Sequence, residues 1–172
     1  MSDATTISRY LIKKEIIEST PTKLTLYVNQ GENALVISQG QILANLPPGK
    51  HEIKIANPVK VLKSKLLHEN SRIFIYYYST EEHEITLKVE NYDSEIKVKV
   101  RVSDPEKLIL NMPALEREYT INELKEELES DVKKVVEEIL VKGEAEKIKE
   151  EITSIIIEKL RNLGLDLVNI VF

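Results

Sequence analysis

The 172-residue sequence predicts an α+β fold: a mainly antiparallel, twisted β-sheet drawn from residues 24–102, then packed α-helices, then a final C-terminal strand. Three observations carry this. Apolar and polar residues alternate between His83 and Val102, with Ile85, Leu87 and Val89 before the break Glu90-Asn91-Tyr92-Asp93-Ser94 and Ile96, Val98, Val100 and Val102 after it. Period-two patterning on both sides of a turn-rich break marks two antiparallel strands, each apolar on one face and wet on the other. Ser103-Asp104-Pro105-Glu106 then reads as a helix start, with a capping residue, Pro at the first helical position and an acid in the first turn. Beyond it the apolar period becomes helical, and each helical stripe ends at a glycine, Gly143 and Gly164.

Taken in order, residues 1–22 form an N-terminal segment and residues 23–172 one domain. Residues 5–18 admit two forms. On a helix, Ile7, Tyr10, Leu11 and Ile17 share a face with Arg9, Lys13 and Lys14 nearby, a short amphipathic surface suited to an anionic membrane. The alternative is a segment packed on its own domain or an N-terminal edge strand. Leu24, Leu26 and Val28 alternate with polar neighbours as a strand, and Gly31 turns the chain into Asn33–Ser38, whose more continuous apolar run predicts a more buried strand. Gln39-Gly40 is a tight hairpin signal leading into Gln41–Asn45. Leu46-Pro47-Pro48-Gly49-Lys50 is rigid turn chemistry, after which His51–Ile55 resumes the alternation. Residues 57–70 pattern poorly. Ser71–Thr80 is the most β-prone run in the chain, and within it Tyr76 and Tyr78 face one way and Tyr77 the other, so they make no stacking platform.

After the hairpin come a short helix over 106–112 closed by Pro113, a connector over 114–119, and helices over 121–142 and 145–162. Thr120-Ile121-Asn122-Glu123 is a capping box. Ile121, Leu124, Leu128, Val132, Val135, Ile139 and Leu140 form the first stripe, with Glu129 and Lys133 supporting the outer face as an i, i+4 pair. Ile148, Ile152, Ile155, Ile156 and Leu160 form the second, and Leu165–Phe172 is the final strand.

The composition is that of a globular chain, 42% hydrophobic and 31% charged, and the absence of cysteine excludes disulfide and thiol chemistry. A reducing, cytoplasmic setting fits, with a peripheral position at the inner face of a membrane if the first segment binds lipid. Abundant Glu, Lys and Ile with little Gln is thermophile-like usage. A net charge of -5 argues against nucleic acid as a partner. His51, His68 and His83 are dispersed, so no metal is expected, and neither is a cofactor. Gly49-Lys50 is no phosphate loop, because the glycine-rich motif is absent and a strand follows. No spacing suggests a nucleophile with its base, so no enzyme activity and no small-molecule substrate are expected. One cationic patch stands out: Lys97, Lys99 and Arg101 share a strand face and would suit an anionic partner, though Glu84 and Glu95 dilute the charge and make it read as a solvated sheet face.

The order of these segments resembles the SPFH, or band 7, domain of stomatin- and prohibitin-like proteins. Residues 28–36 (V-N-Q-G-E-N-A-L-V) resemble that family's opening strand pair, and Gly40-Gln41-Ile42 with Leu46–His51 its hairpin and proline-glycine turn. Thr80, Ile85–Val89 and Val98–Pro105 resemble its central strands and the Asp-Pro that opens the helices; Tyr119, the capping box and the helices running into Gly164-Leu165 also fit. Residues 11–28 are similar to the virion-core-like subgroup, which lacks a membrane hairpin. The resemblance implies a non-catalytic scaffold or interaction domain in membrane-associated or higher-order assembly. Protein, self or other, is the partner it implies, and a membrane surface the alternative, contacted through residues 7–17. With no coiled coil in these 172 residues, a monomer or weak dimer is expected at micromolar concentration, with assembly dependent on added sequence or on a surface.

Overall fold

The structure, a computed structural model, describes residues 10–18, 23–54, 72–112 and 117–172. Residues 57–70, with His68, and Ile7, Arg9 and Pro113 lie outside them. The chain divides into two compact units, one formed by the described residues of 12–80, the other by those of 81–172 with Tyr10 and Leu11.

The first unit is all β. Its strands are β1 (Tyr10–Ile17, from Ile12 onward), β2 (Lys23–Val28), β3 (Glu32–Ser38), β4 (Gln41–Leu46), β5 (Gly49–Lys54) and β6 (Ile73–Ser79). Of the two forms open to residues 5–18, residues 10–17 take the strand. The strands β4-β3-β6-β1 lie side by side, antiparallel, while β2 pairs with β5 in a separate two-stranded sheet. Leu24, Leu26 and Val28 point from β2 into a core shared with Ala34, Val36, Ile73 and Ile75. Ala34, Leu35 and Val36 are all buried, as the continuous apolar run predicts for a strand covered on both faces. At the β3–β4 hairpin both Gln39 (φ 53°) and Gly40 (φ 73°) adopt positive φ, the backbone a two-residue turn needs to match strand twist.

The single sheet expected over 24–102 is therefore corrected: its strands fall into three sheets. Alternation shows that a strand has a buried face but says nothing about its partner. Here Gly31 (φ 83°) carries the chain out of β2 and into a different sheet, where β3 pairs with β4 and β6 instead.

The second unit holds β7 (His83–Leu87), β8 (Ile96–Val102), α1 (Pro105–Asn111), β9 (Glu118–Thr120), α2 (Ile121–Lys142), α3 (Ile148–Leu163) and β10 (Leu165–Val171), with a 3-10 turn over Ala145–Lys147 before α3. Its three-stranded sheet has the order β10-β8-β7, antiparallel throughout. Helix α2 packs on β7, α3 on β10, and the helices on each other. The buried face of β8 is Ile96, Val98, Val100 and Val102; from α2 come Leu124, Leu128, Val132, Val136 and Ile139, and from α3 Ile152, Ile156 and Leu160. The stripe predicted for α2 shifts near its end. Val136 is buried where Val135 is half-buried, and Leu140 is exposed.

Caps follow the sequence closely. Asp104 Oδ1 accepts from the Lys107 amide at 3.2 Å, with Pro105 at the first helical position. Thr120 Oγ1 accepts from the Glu123 amide at 3.1 Å, and its hydroxyl donates to Glu123 Oε1 at 3.2 Å, so that carboxylate meets the hydroxyl where a capping box would have it accept an amide. Gly143 closes α2 in the left-handed region, with the Glu144 amide donating to Ile139 O. Glu129 and Lys133 do not pair along the helix as expected. The Lys88 amide donates to Glu129 Oε2 at 2.7 Å and Lys133 pairs with Glu90 at 2.9 Å, so both side chains hold the β7–β8 connection instead. The connector predicted over 114–119 ends in β9, where buried Tyr119 hydrogen-bonds the Glu127 carboxylate.

Candidate functional site

Strands place side chains on alternate faces, so the adjacent residues Tyr10 and Leu11 cannot share one surface in β1. Tyr10 is half-buried, Leu11 is fully buried, Lys13 is exposed and Lys14 half-buried. The amphipathic surface described for a helical segment is therefore not assembled by these four residues. Ile7 and Arg9 lie outside the described residues. Among the described residues no helix is long and apolar enough to cross a membrane.

Lys97, Lys99 and Arg101 do share a face, the outer side of β8. Their neighbours come from the register. Lys99 sits between Glu84 of β7 and Asn169 of β10, Lys97 between Thr86 and Val171, and Arg101 lies opposite Asp166. Arg101 and Asp166 approach to 3.8 Å, both half-exposed. The positive side chains are thus interleaved with carboxylates and neutral residues. Such a face stays hydrated and holds no concentrated charge.

The feature that sequence reading misses lies at the edge of the same sheet. Among the described residues strand β10 has β8 on one side only. A groove of about 470 Å³ runs along it, lined by Ile157 and Arg161 of α3, Arg101 of β8, and Leu165–Val168 of β10. Ile157 belongs to no predicted core stripe, and Arg161 reads in the sequence as an ordinary charge in the last turn of a helix. Only the packing of α3 on β10 brings them to the strand edge. The Gly164 turn sets that geometry: its carbonyl accepts from the amides of Ser103 and Asp104 at 3.0 and 2.9 Å and from Ser103 Oγ at 3.1 Å. Those bonds hold the start of β10 against the end of β8.

A second groove, on α2, gathers Glu123, Glu126, Glu127 and Asp131 around Lys159, which approaches Asp131 to 3.9 Å. Among the described residues no group of three or more acidic or histidine side chains is placed to hold a metal ion. Burial holds the His83 imidazole below its ordinary value, opposed by Glu81. In the first unit, burial and then the adjacent Glu15 carboxylate push the Tyr77 hydroxyl up to about 12, while Tyr78, on the opposite face, donates to Asn45 Oδ1 at 3.0 Å. Tyr76 is likewise raised by burial. No protein-family model and no curated protein matches the chain.

Proposed function

We propose that the chain is a non-catalytic scaffold domain of the SPFH or band 7 kind, acting through protein contacts in membrane-associated or higher-order assembly. The order of a strand-rich unit followed by a strand–strand–helix–strand–helix–helix–strand unit supports the reading, together with the residues that carry the resemblance. One observation carries it. The second unit leaves large aliphatic side chains at its surface, where the same helices bury similar residues one or two positions away. On α2, Ile139 is buried, yet Leu140 is 49% and Val141 88% exposed; on α1, Leu110 is 84% exposed. Adjacent apolar residues at a helix end are costly to leave in water and gain most from a second surface.

Weak contacts of this kind become effective when several copies are gathered, since each added contact is then intramolecular. Light scattering over a rising concentration series tests the reading. A weight-average mass that climbs above the monomer, and a Val141→Asp/Leu140→Asp double variant that stays monomeric, are expected. A chain that remains monomeric up to about 1 mM, the weak end of measurable association, would overturn it.

A further inference from the structure

We propose that the groove between α3 and the open edge of β10 holds a short extended segment of a partner protein, paired backbone to backbone with Leu165–Leu167, with an aliphatic side chain beside Ile157 and a carboxylate at Arg161. The proposal rests on the scaffold reading and names the partner class for one surface of it. Three features converge on this occupant. An edge strand presents unpaired N–H and C=O groups, and a strand edge beside a helix is a geometry in which main-chain pairing supplies affinity and side-chain pockets supply selectivity. The groove wall is apolar at Ile157, Leu167 and Val168. Its charge is positive: Arg101 is engaged with Asp166 at 3.8 Å, whereas no carboxylate of the described residues comes within 4 Å of Arg161. A guanidinium at the rim of an apolar groove selects a carboxylate, which it can bind through two parallel hydrogen bonds.

The register decides between a short segment and a second copy of this strand. Pairing of β10 with β8 shifts between Leu167 and Asn169, leaving Val168 as an extra residue. A bulge bends and twists its strand, and at an edge it stops a long flat partner from continuing past it. The stretch before the bulge, Leu165–Leu167, is the one the groove follows.

The probe is a fluorescein-labelled peptide of alternating valine and glutamate flanked by glycine, titrated with the full chain and followed by anisotropy. Saturable binding is expected, weakened about tenfold or more by Arg161→Glu, the scale set by losing a charge-assisted pair. The same variant should gain binding to the lysine-for-glutamate peptide. A peptide with proline at its central valine keeps its charge but cannot complete the ladder, and should not bind. Hydrogen exchange on the unaltered chain provides a readout independent of any substitution, with slowing expected at the amides of 165–167. Absence of saturation up to about 1 mM would overturn the proposal. So would equal binding of the proline peptide, which would mean charge alone holds it, or equal binding to Arg161→Glu. Light scattering on the same samples separates the failures. Self-association that Val141→Asp/Leu140→Asp abolishes, with no peptide binding, leaves the scaffold reading standing and removes only this one.

Discussion

Gly143 and Gly164 look alike in the sequence, each ending a helix, and both adopt positive φ, 71° and 82°. Their surroundings differ. A Cβ at Gly143 would meet nothing within 4 Å, whereas one at Gly164 would lie 2.3 Å from Asp104 O and 3.1 Å from the Leu108 amide nitrogen. At Gly143, alanine faces only the left-handed backbone cost, about 1 kcal/mol. At Gly164 the same cost is joined by displacement of the turn that bonds Ser103 and Asp104, each such bond contributing about 1 kcal/mol net. Gly143→Ala should therefore lower unfolding free energy by about 1 kcal/mol and Gly164→Ala by about 3 kcal/mol or more, measured by urea denaturation. Equal losses would show that the contacts to the Asp104 backbone are not what holds the turn. A glycine after a helix announces the cap in the sequence. The close approach of a strand end 60 residues earlier in the chain leaves no local trace.

Helices were the most legible elements because their signals are local. Capping by Asp104 and Thr120, and the stop at Gly143, depend on residues within a few positions of each other, and the structure reproduces them. Stripe membership at the end of α2 was less legible, since Val135 and Val136 both satisfy helical spacing with Val132 and the choice is made by what α2 packs against. The outcome gives a graded prediction. Val132, Val136 and Ile156 are buried at 1% exposure or less, so truncation to Ala should cost about 1–4 kcal/mol each, the transfer loss plus the cavity left behind. Leu140→Ala removes as much apolar surface from a half-exposed site and should stay within about 0.5 kcal/mol. Urea midpoints across the four variants decide it, and a Leu140→Ala loss matching Val136→Ala would return Leu140 to the core. Strand β9 went unseen for a related reason: three residues are too few to show a period, and Tyr119 is buried by its neighbours.

At the scale of the whole chain, composition and alternation disclosed the α+β class and the faces that are buried, but not how the strands are shared among three sheets. That division is decided by non-local pairing, as where β2 meets β5 across Lys23↔Lys54 and Val28↔Gly49. The β10 groove was hidden for the same reason, its walls coming from α3, β8 and β10. Charge at this scale yields a last prediction. The thermophile-like usage of Glu and Lys suggests stabilisation by ion-pair networks, which gain at high temperature as desolvation becomes cheaper. Among the described residues the pairs Lys23–Glu52, Lys88–Glu95, Arg101–Asp166, Lys133–Glu90 and Lys159–Asp131 share no residue with one another. Isolated, solvated pairs contribute about 0–1 kcal/mol each and are screened within about 3 Å at 1 M salt. The same salt relieves the mutual repulsion of a chain carrying a net -5, which acts in the opposite direction. Stability should thus lie in the two apolar cores, and Tm measured by calorimetry should move by less than about 3 °C between low salt and 1 M sodium chloride, the shift that roughly 1 kcal/mol produces in a chain of this size. A fall of about 10 °C would mean that linked charges, rather than the packing of Val132, Ile156 and their neighbours, carry the stability.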